Sequence, residues 1–241
     1  MSLVRILAFS SSRVGSSGYL EAAAPLIKDF LLKENLNIAF IPFASVDLNC
    51  EEYLLKVREG LAGLNHTIHI VQQENARSII MQSDAIMVGG GNTFKLLHDI
   101  YSSQLLDIIR DKVNAGTPYI GWSAGSNITG PTIGTTNDMP IIEPKSFNAL
   151  GLFPFQINPH YISVKAEGHN GETRDQRLEE FIKMNPGVAV MCLPEGTALQ
   201  LEGNLLSFVG QTAGVLFQSQ ETTDSFIRKE ISPGMDLSFL L

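Results

Sequence analysis

The sequence of 241 residues lacks the features that mark several large classes of protein. Its two cysteines, Cys50 and Cys192, lie far apart and without CxxC spacing, which argues against a disulfide framework and a thiol-rich metal site. No hydrophobic run approaches the roughly 20 residues of a transmembrane helix. The apolar run from Val4 to Phe9 is too short for the hydrophobic region of a signal peptide and predicts a first strand. We therefore expect a cytoplasmic protein with two reduced core cysteines and no membrane partner.

Positive charge is also scarce. Asp and Glu outnumber Lys and Arg by 25 to 17, which gives a formal net charge of -8. Nucleic-acid binding requires clustered Lys and Arg, which the sequence does not show, so we expect no nucleic-acid partner. The phosphate-binding patterns GxxxxGK(S/T) and GxGxxG are absent as well, and the sequence calls for neither a cofactor nor a metal.

Apolar runs alternate along the chain with segments in which apolar residues recur at helical spacing. Strands are expected at residues 4–10, 37–42, 67–71, 85–88 and 119–122, and helices at residues 19–34, 51–61, 74–82, 93–100 and 104–115. This order predicts an α/β fold with a mostly parallel sheet flanked by helices on both faces, in a single domain of residues 1–241. Functional groups of such sheets gather at the carboxyl ends of the strands. Further on, a hairpin is expected at residues 202–204 and a terminal strand or short helix over residues 225–241.

The segment from Gly121 to Gly125 has the pattern G-x-S-x-G. This pattern places a serine on a sharp turn between a strand and a helix, where flanking glycines avoid collisions with neighbouring backbone. The apolar residues before the pattern and the small residues after it supply the required strand and helix start. Ser123 is therefore the predicted nucleophile, and Trp122 beside it is expected to belong to the core.

Three consecutive glycines, Gly89 to Gly91, directly follow the predicted fourth strand and open a helix. Their backbone N–H groups are unobstructed by side chains and can stabilise an oxyanion, a role that makes sense only together with Ser123. Asn92 can cap the following helix or bind substrate, and its position favours the cap.

A serine nucleophile needs a base, and the sequence offers five histidines. His66, His69 and His98 fall in a turn, a strand and a helix, where nothing suggests catalysis. His160 ends a strand-like run that a proline stops, so its imidazole would stand at a strand end. It is the predicted base. His169, in a polar loop, is the second choice.

The imidazole in turn needs a carboxylate that holds its tautomer. Glu195 follows an apolar run and Pro194, which places it at another strand end, and Gly196 after it provides a turn. Asp138 lies in a turn-like segment and is the alternative. The order of the residues along the chain does not decide between them, and the local position at a strand end slightly favours Glu195.

Five blocks of the sequence, taken in order, resemble the peptidase E family of aspartyl dipeptidases, serine peptidases related to the cyanophycinases. They are GGGNTF at 89–94, GWSAG at 121–125, TTNDMP at 135–140, QINPH at 156–160 and LPEG at 193–196. The resemblance implies a fold similar to class I glutamine amidotransferases, with serine in place of their cysteine. It also implies cleavage of dipeptides with an N-terminal aspartate through an acyl-enzyme. Ser123 then matches the nucleophile and His160 the base, with Asp138 or Glu195 as the acidic partner.

The same resemblance suggests how such a substrate is held. The N–H groups of Ala124, Gly90 and Gly91 would bind the oxyanion. An aspartyl side chain requires a cation, preferably an arginine whose fork matches two carboxylate oxygens. Arg174 and Arg177 lie where a loop leads into a predicted helix, and the resemblance points to Arg174.

One departure from the family pattern bears on specificity. Family members often carry an arginine directly before the TTND segment, at the position where this chain has Gly134. The loss of this arginine would weaken the preference for aspartate. Two other functions stay open: an exopeptidase acting on other acidic, β-aspartyl or cyanophycin-derived peptides, and a non-catalytic binder that uses the same cleft. A small peptide is the expected partner, and a homodimer is one assembly that the chain allows.

Overall fold

The computed structural model describes residues 3–47, 49–164, 168, 170–219 and 226–241. Within these residues two β-sheets are flanked by helices. The strands are β1 (Arg5–Phe9), β2 (Asn37–Ile41), β3 (Thr67–Ile70), β4 (Ala85–Val88), β5 (Tyr119–Trp122), β6 (Gln156–Pro159), β7 (Ala189–Leu193), β8 (Ala198–Glu202), β9 (Leu205–Val209), β10 (Gly214–Ser219) and β11 (Phe226–Ile231). The helices are α1 (Ala24–Leu31), α2 (Cys50–Gly60), α3 (Ala76–Gln82), α4 (Thr93–Ser102), α5 (Leu106–Asn114), α6 (Ala124–Asn127) and α7 (Arg174–Met184).

The larger sheet has the strand order β3-β2-β4-β5-β1-β8-β9. The strands from β3 to β1 in that order run parallel, and β8 and β9 continue the sheet antiparallel. Strand β1 is interior, since Ala8 lies opposite Gly121 on one side and Leu199 on the other. The predicted mostly parallel sheet is confirmed, as is the hairpin, in which Glu202 pairs with Leu205.

Helices cover both faces of this sheet, as the sequence predicts. Successive side chains of a strand point to opposite faces, so each buried strand contributes to two cores. Leu7 and Phe40 pack with α1 and α2 on one face. Ile6 and Ala39 pack with α3, α4 and α5 on the other. In the part of the chain that the structure describes, no helix combines the length and apolar character needed to cross a membrane.

Helix α1 is shorter than the predicted segment of residues 19–34. Leu20 and Leu32 have φ angles of 56° and 61°, a left-handed conformation that cannot continue an α-helix. Pro25 occupies the first turn, where its missing N–H costs nothing. The other predicted helices of the larger sheet agree with the structure to within a few residues.

The smaller sheet has the order β11-β10-β7-β6. On one face Leu178 and Ile182 of α7 pack against Val190 and Cys192. On the other face Ile157 belongs to the same hydrophobic cluster as α3, α4 and α5, which joins the two sheets. The sequence pattern does not separate the sheets, because the buried apolar run of β7 resembles those of β4 and β5 in the larger sheet.

Two further predictions are partly met. The carboxyl-terminal segment contains both a strand, β11, and a 3-10 turn at Ser238–Leu240, while Ser225 lies outside the described residues.

Both cysteines are free. Cys192 is fully buried, but Cys50 is only half-buried at the first residue of α2, so the expected core position applies to Cys192 alone.

Neighbouring residues of β9 test the packing of the larger sheet. Leu206 is 0% exposed and Leu205 is 53% exposed. We expect Leu206→Ala to lower the free energy of unfolding by about 2–5 kcal/mol, because it removes buried methyl groups and leaves a cavity. Leu205→Ala is the matched control and should change it by about 0.5 kcal/mol or less. Denaturant unfolding measures both values, and equal losses would contradict the orientation of β9.

Candidate active site

Ser123 lies at a sharp turn between β5 and α6. Its φ and ψ angles are 54° and -114°, outside the conformations that non-glycine residues ordinarily adopt. The neighbouring glycines are sterically required. A Cβ atom on Gly125 would lie 2.2 Å from the Val88 carbonyl oxygen, and one on Gly121 would lie 2.5 Å from the Gly125 carbonyl oxygen. The strand, turn and helix start predicted from G-x-S-x-G are therefore present.

Hydrogen bonds hold this turn in its strained conformation. The Ser123 N–H donates to the Phe9 carbonyl oxygen at 3.1 Å. The buried Ser126 hydroxyl lies 2.6 Å from the Phe9 carbonyl oxygen and 2.9 Å from that of Gly121. Strained backbone persists only where its surroundings fix it, and here β1 and β5 supply that support.

His160 follows β6 directly, and its ring faces Ser123. The Nε2 atom lies 2.9 Å from the Ser123 Oγ atom. His160 also has a left-handed φ of 52°. Its N–H donates at 2.9 Å to the buried Ser10 hydroxyl, which donates at 2.7 Å to the Leu193 carbonyl oxygen. One hydroxyl at the end of β1 therefore connects the ends of β6 and β7.

Glu195 meets the other side of the imidazole. Its Oε1 atom lies 2.9 Å from the His160 Nδ1 atom. With the Nδ1 proton donated to this carboxylate, Nε2 is left free to accept a proton from Ser123. The His160 and Glu195 side chains are 41% and 55% exposed, so the pair stands at the edge of the protein and not in its core.

Asp138 has different partners. Its Oδ2 atom accepts hydrogen bonds from the Thr93 N–H at 2.7 Å, the Thr93 hydroxyl at 2.6 Å and the Thr136 hydroxyl at 3.2 Å. Among the described residues it makes no hydrogen bond to His160. The carboxylate therefore stabilises the amino-terminal end of α4, where negative charge is favoured.

Asn92 caps the same helix, since its Oδ1 atom accepts from the Lys95 N–H at 3.0 Å. Its Nδ2 atom donates to the Met139 carbonyl oxygen at 2.8 Å, which ties the helix start to the segment that carries Asp138. Asn137 and Asn158 connect that segment to β6, because Asn158 Nδ2 lies 2.8 Å from Asn137 Oδ1.

A cavity of about 630 Å³ opens in front of Ser123. Its lining includes His160, Asp138, Asn92, Gly90 and Gly91. The glycine loop lies against the serine, since a Cβ atom on Gly90 would be 2.9 Å from the Ser123 Cβ atom. Within the described chain, no acceptor bonds to the N–H groups of Gly90, Gly91 and Ala124. The described residues also contain no group of three or more His, Cys, Asp or Glu side chains able to hold a metal.

The cations near the site are distributed differently from the sequence-based expectation. Arg13 and Lys56 line the cavity, whereas Arg174 is not among the described residues that line it. Arg174 is half-buried at the start of α7, and its Nη1 atom is buried without a hydrogen-bond partner in the described part of the chain. Burial, followed by the positive charge of Arg177, lowers the pKa of Arg174.

The structure also shows where the remaining histidines and Ser10 lie. His66, His69 and His98 bond to other parts of the chain, and His169 lies outside the described residues. The role of Ser10 was not predicted. Its place at the carboxyl end of β1 was the only signal in the sequence.

Comparisons with known proteins agree with this architecture. Residues 6–209 match the model of peptidase family S51. The chain is 50% identical over 239 residues to a peptidase E of Shewanella amazonensis, covering 99% of both chains. It is 47% identical over 240 residues to a peptidase E of a Nostoc species, covering 98% of this chain and 96% of the relative. The crystal structure of a peptidase from an acI-B1 Actinobacterium has a similar fold, with a TM-score of 0.70 at 16% identity over 98% of this chain and 97% of the other. The chain therefore belongs to peptidase family S51.

Proposed function

We propose that this chain is a serine dipeptidase that hydrolyses dipeptides with an N-terminal aspartate. The observation that carries the proposal is the pair of 2.9 Å contacts that link Ser123 to His160 and His160 to Glu195. This is the arrangement that a hydroxyl nucleophile needs: a base within hydrogen-bond reach and a carboxylate that orients the base. The relatives named peptidase E support a peptide as the substrate.

The reaction begins when the Ser123 Oγ atom attacks the peptide carbonyl carbon and His160 Nε2 takes the hydroxyl proton. Glu195 keeps Nδ1 protonated and stabilises the imidazolium that forms. When the tetrahedral intermediate collapses, the C–N bond breaks and His160 gives its proton to the departing amine. The acyl group stays on Ser123. A water molecule, deprotonated by His160, then attacks the ester carbonyl and releases the acid product and the serine hydroxyl.

The N–H groups of Gly90, Gly91 and Ala124 are the proposed donors to the oxyanion. Gly90 and Gly91 line the space in front of Ser123, Ala124 directly follows Ser123, and none of the three N–H groups has an acceptor among the described residues. One donor of this kind is typically worth about 3 kcal/mol in the transition state. The glycines allow the loop to approach the reacting carbonyl closely.

Arg174 is the proposed partner of the aspartyl carboxylate. The Nη1 atom of Arg174 has no hydrogen-bond partner among the described residues, and a guanidinium can bind a carboxylate through two strong hydrogen bonds. Because this atom is buried outside the cavity, Arg174 would have to turn towards Ser123 to meet the substrate. Because Gly134 stands where family members often carry an arginine, Arg174 would carry more of the specificity.

We also propose a single domain of residues 1–241, a cytoplasmic location and the absence of a nucleic-acid partner, with a homodimer as one assembly to be tested.

Aspartate release from Asp-X dipeptides tests the reaction. We expect the wild-type protein to cleave them and Ser123→Ala to lose about 10³-fold or more of kcat, because no other group can take over the attack. Ser78→Ala, a change on the exposed side of α3, should match the wild type. Ala-X, Glu-X, N-acetyl-Asp-X and β-aspartyl peptides define the specificity. Full activity in Ser123→Ala would reject the mechanism. Faster cleavage of β-aspartyl peptides than of Asp-X dipeptides would identify the enzyme as one of the related exopeptidases.

The two acidic candidates can be separated by matched amide substitutions. Glu195→Gln should lower kcat by about 10²- to 10⁴-fold, since the imidazole loses its orienting carboxylate. Asp138→Asn should lower kcat by less than about tenfold and reduce stability by about 1 kcal/mol, because it weakens the start of α4. Steady-state kinetics and thermal unfolding measure both effects. The reverse order in kcat would assign the orienting role to Asp138.

Charge-neutral variants locate the specificity cation. Arg174→Gln should lower kcat/KM for Asp-X by about 10- to 100-fold, as expected for the loss of a charge-assisted contact, and leave Ala-X cleavage unchanged. Arg177→Gln is the control on the same helix, because its ion pair with Glu172 is long, at 3.8 Å, and exposed. If Lys56→Gln or Arg13→Gln produces the loss instead, the cation belongs to the cavity wall and not to α7.

A further inference from the structure

A network of three aromatic side chains adjoins the glycine loop and lines the same cavity as the loop. The Tyr53 hydroxyl donates to the Gly90 carbonyl oxygen at 2.9 Å. The Tyr19 hydroxyl donates to the Tyr53 oxygen at 2.9 Å. The Trp122 Nε1–H lies 2.8 Å from the Tyr19 oxygen and 3.2 Å from that of Tyr53. Each hydroxyl has one proton to give, so these contacts fix the direction of every bond and leave the Tyr53 proton for Gly90.

The same tyrosine packs directly against the loop. Tyr53 is 3% exposed, and a Cβ atom on Gly89 would lie 2.5 Å from its hydroxyl oxygen. On the other side of the loop, Gly90 contacts Ser123, and a Cβ atom on Gly91 would lie 2.2 Å from the Ala44 carbonyl oxygen. The loop is therefore enclosed by protein on several sides, which explains why it contains glycine at three consecutive positions.

The bond to Gly90 also determines where the next N–H group points. A peptide unit is planar and trans, so its C=O and N–H bonds point in opposite directions. The peptide that carries the Gly90 carbonyl carries the Gly91 N–H. With the carbonyl directed at Tyr53, the N–H is directed away from Tyr53, and both glycines line the cavity in front of Ser123. A flipped peptide would present a carbonyl oxygen to the cavity and repel a developing oxyanion.

We propose that Tyr53 is a positioning residue, which holds the Gly90–Gly91 peptide so that the Gly91 N–H faces the reacting carbonyl of the substrate. This inference rests on the proposed serine peptidase reaction. Tyr19 and Trp122 act through Tyr53, because they occupy its acceptor sites and direct its proton to Gly90. Trp122 is also the residue before the nucleophile, so the same hydrogen-bond network adjoins both the nucleophile and the oxyanion loop.

The network keeps its protons at ordinary pH. Burial, followed by the nearby Tyr19 hydroxyl, raises the pKa of Tyr53 well above its usual range. Burial likewise raises the pKa of Tyr19. Both phenols therefore remain donors at neutral pH, and removal of the Tyr53 hydroxyl should leave the shape of the pH profile unchanged.

Tyr53→Phe tests the proposal, because it keeps the ring that lines the cavity and removes only the hydroxyl. On Asp-X dipeptides we expect kcat to fall by about 10- to 100-fold, since an oxyanion donor is misdirected, with KM changed by less than about twofold. Tyr19→Phe should cause a smaller loss, because Tyr53 can still donate to Gly90. Tyr101→Phe is the matched control: its hydroxyl also donates to a backbone carbonyl, that of Asn148 at 3.0 Å, in another part of the protein. Its kcat should equal that of the wild type.

Three results would overturn the positioning role: a kcat of Tyr53→Phe within twofold of the wild type, a loss confined to KM, or an equal loss in Tyr101→Phe. Circular dichroism of each variant ensures that kcat refers to folded protein.

The backbone amide NMR signal of Gly91 gives a readout that needs no activity. It should shift in Tyr53→Phe and stay in place in Tyr101→Phe. Aspartate release that survives Ser123→Ala, or no release by the wild type, would reject the proposed function, and the NMR comparison would still decide whether Tyr53 orients the peptide.

Discussion

The geometry of the site depends on the hydrogen bonds of one buried hydroxyl, that of Ser10. Strand β1 runs parallel to β5 with Phe9 opposite Trp122, so the next residues along the two strands are Ser10 and Ser123. From this position Ser10 accepts the His160 N–H and donates to the Leu193 carbonyl oxygen. The larger sheet supplies Ser123, and the smaller sheet supplies His160 and Glu195. The Ser10 side chain bonds to both strand ends of the smaller sheet and thereby sets the distance between the two sheets at the site.

Backbone strain is concentrated at the same place. Ser123 and His160 have φ angles of 54° and 52°, values that cost non-glycine residues about 1–3 kcal/mol each. The surrounding hydrogen bonds and the close packing of Gly121 and Gly125 offset this cost. Both strained residues immediately follow a strand, so the turn that ends each strand also aims its side chain at the other. The strain is therefore a direct consequence of bringing a hydroxyl and an imidazole together from two sheets.

Much of this architecture is visible in the sequence. Apolar runs and helical spacing predict β1 to β5 and the helices between them, because most of these strands are buried apolar runs and the helices bury one apolar face. The G-x-S-x-G pattern predicts the turn at Ser123, since only glycine fits beside it. The division into two sheets is not visible, because the apolar run of β7 resembles those of β4 and β5 in the larger sheet. The choice between Asp138 and Glu195 also needs coordinates, since both are acidic residues in turns. Only the structure shows that Asp138 Oδ2 accepts hydrogen bonds from Thr93 and Thr136 and that Glu195 faces His160.

The central place of β1 has a consequence for the synthesis of the protein. This strand precedes every other described strand along the chain, yet its partner on one side is β8, residues Ala198–Glu202. Pairings between distant parts of a chain form slowly, because a long loop must close before they gain any contact energy. Until β8 has been synthesised, one edge of β1 has no partner. Glu195 lies between β7 and β8, so the contact between His160 and its carboxylate also waits for this late part of the described chain.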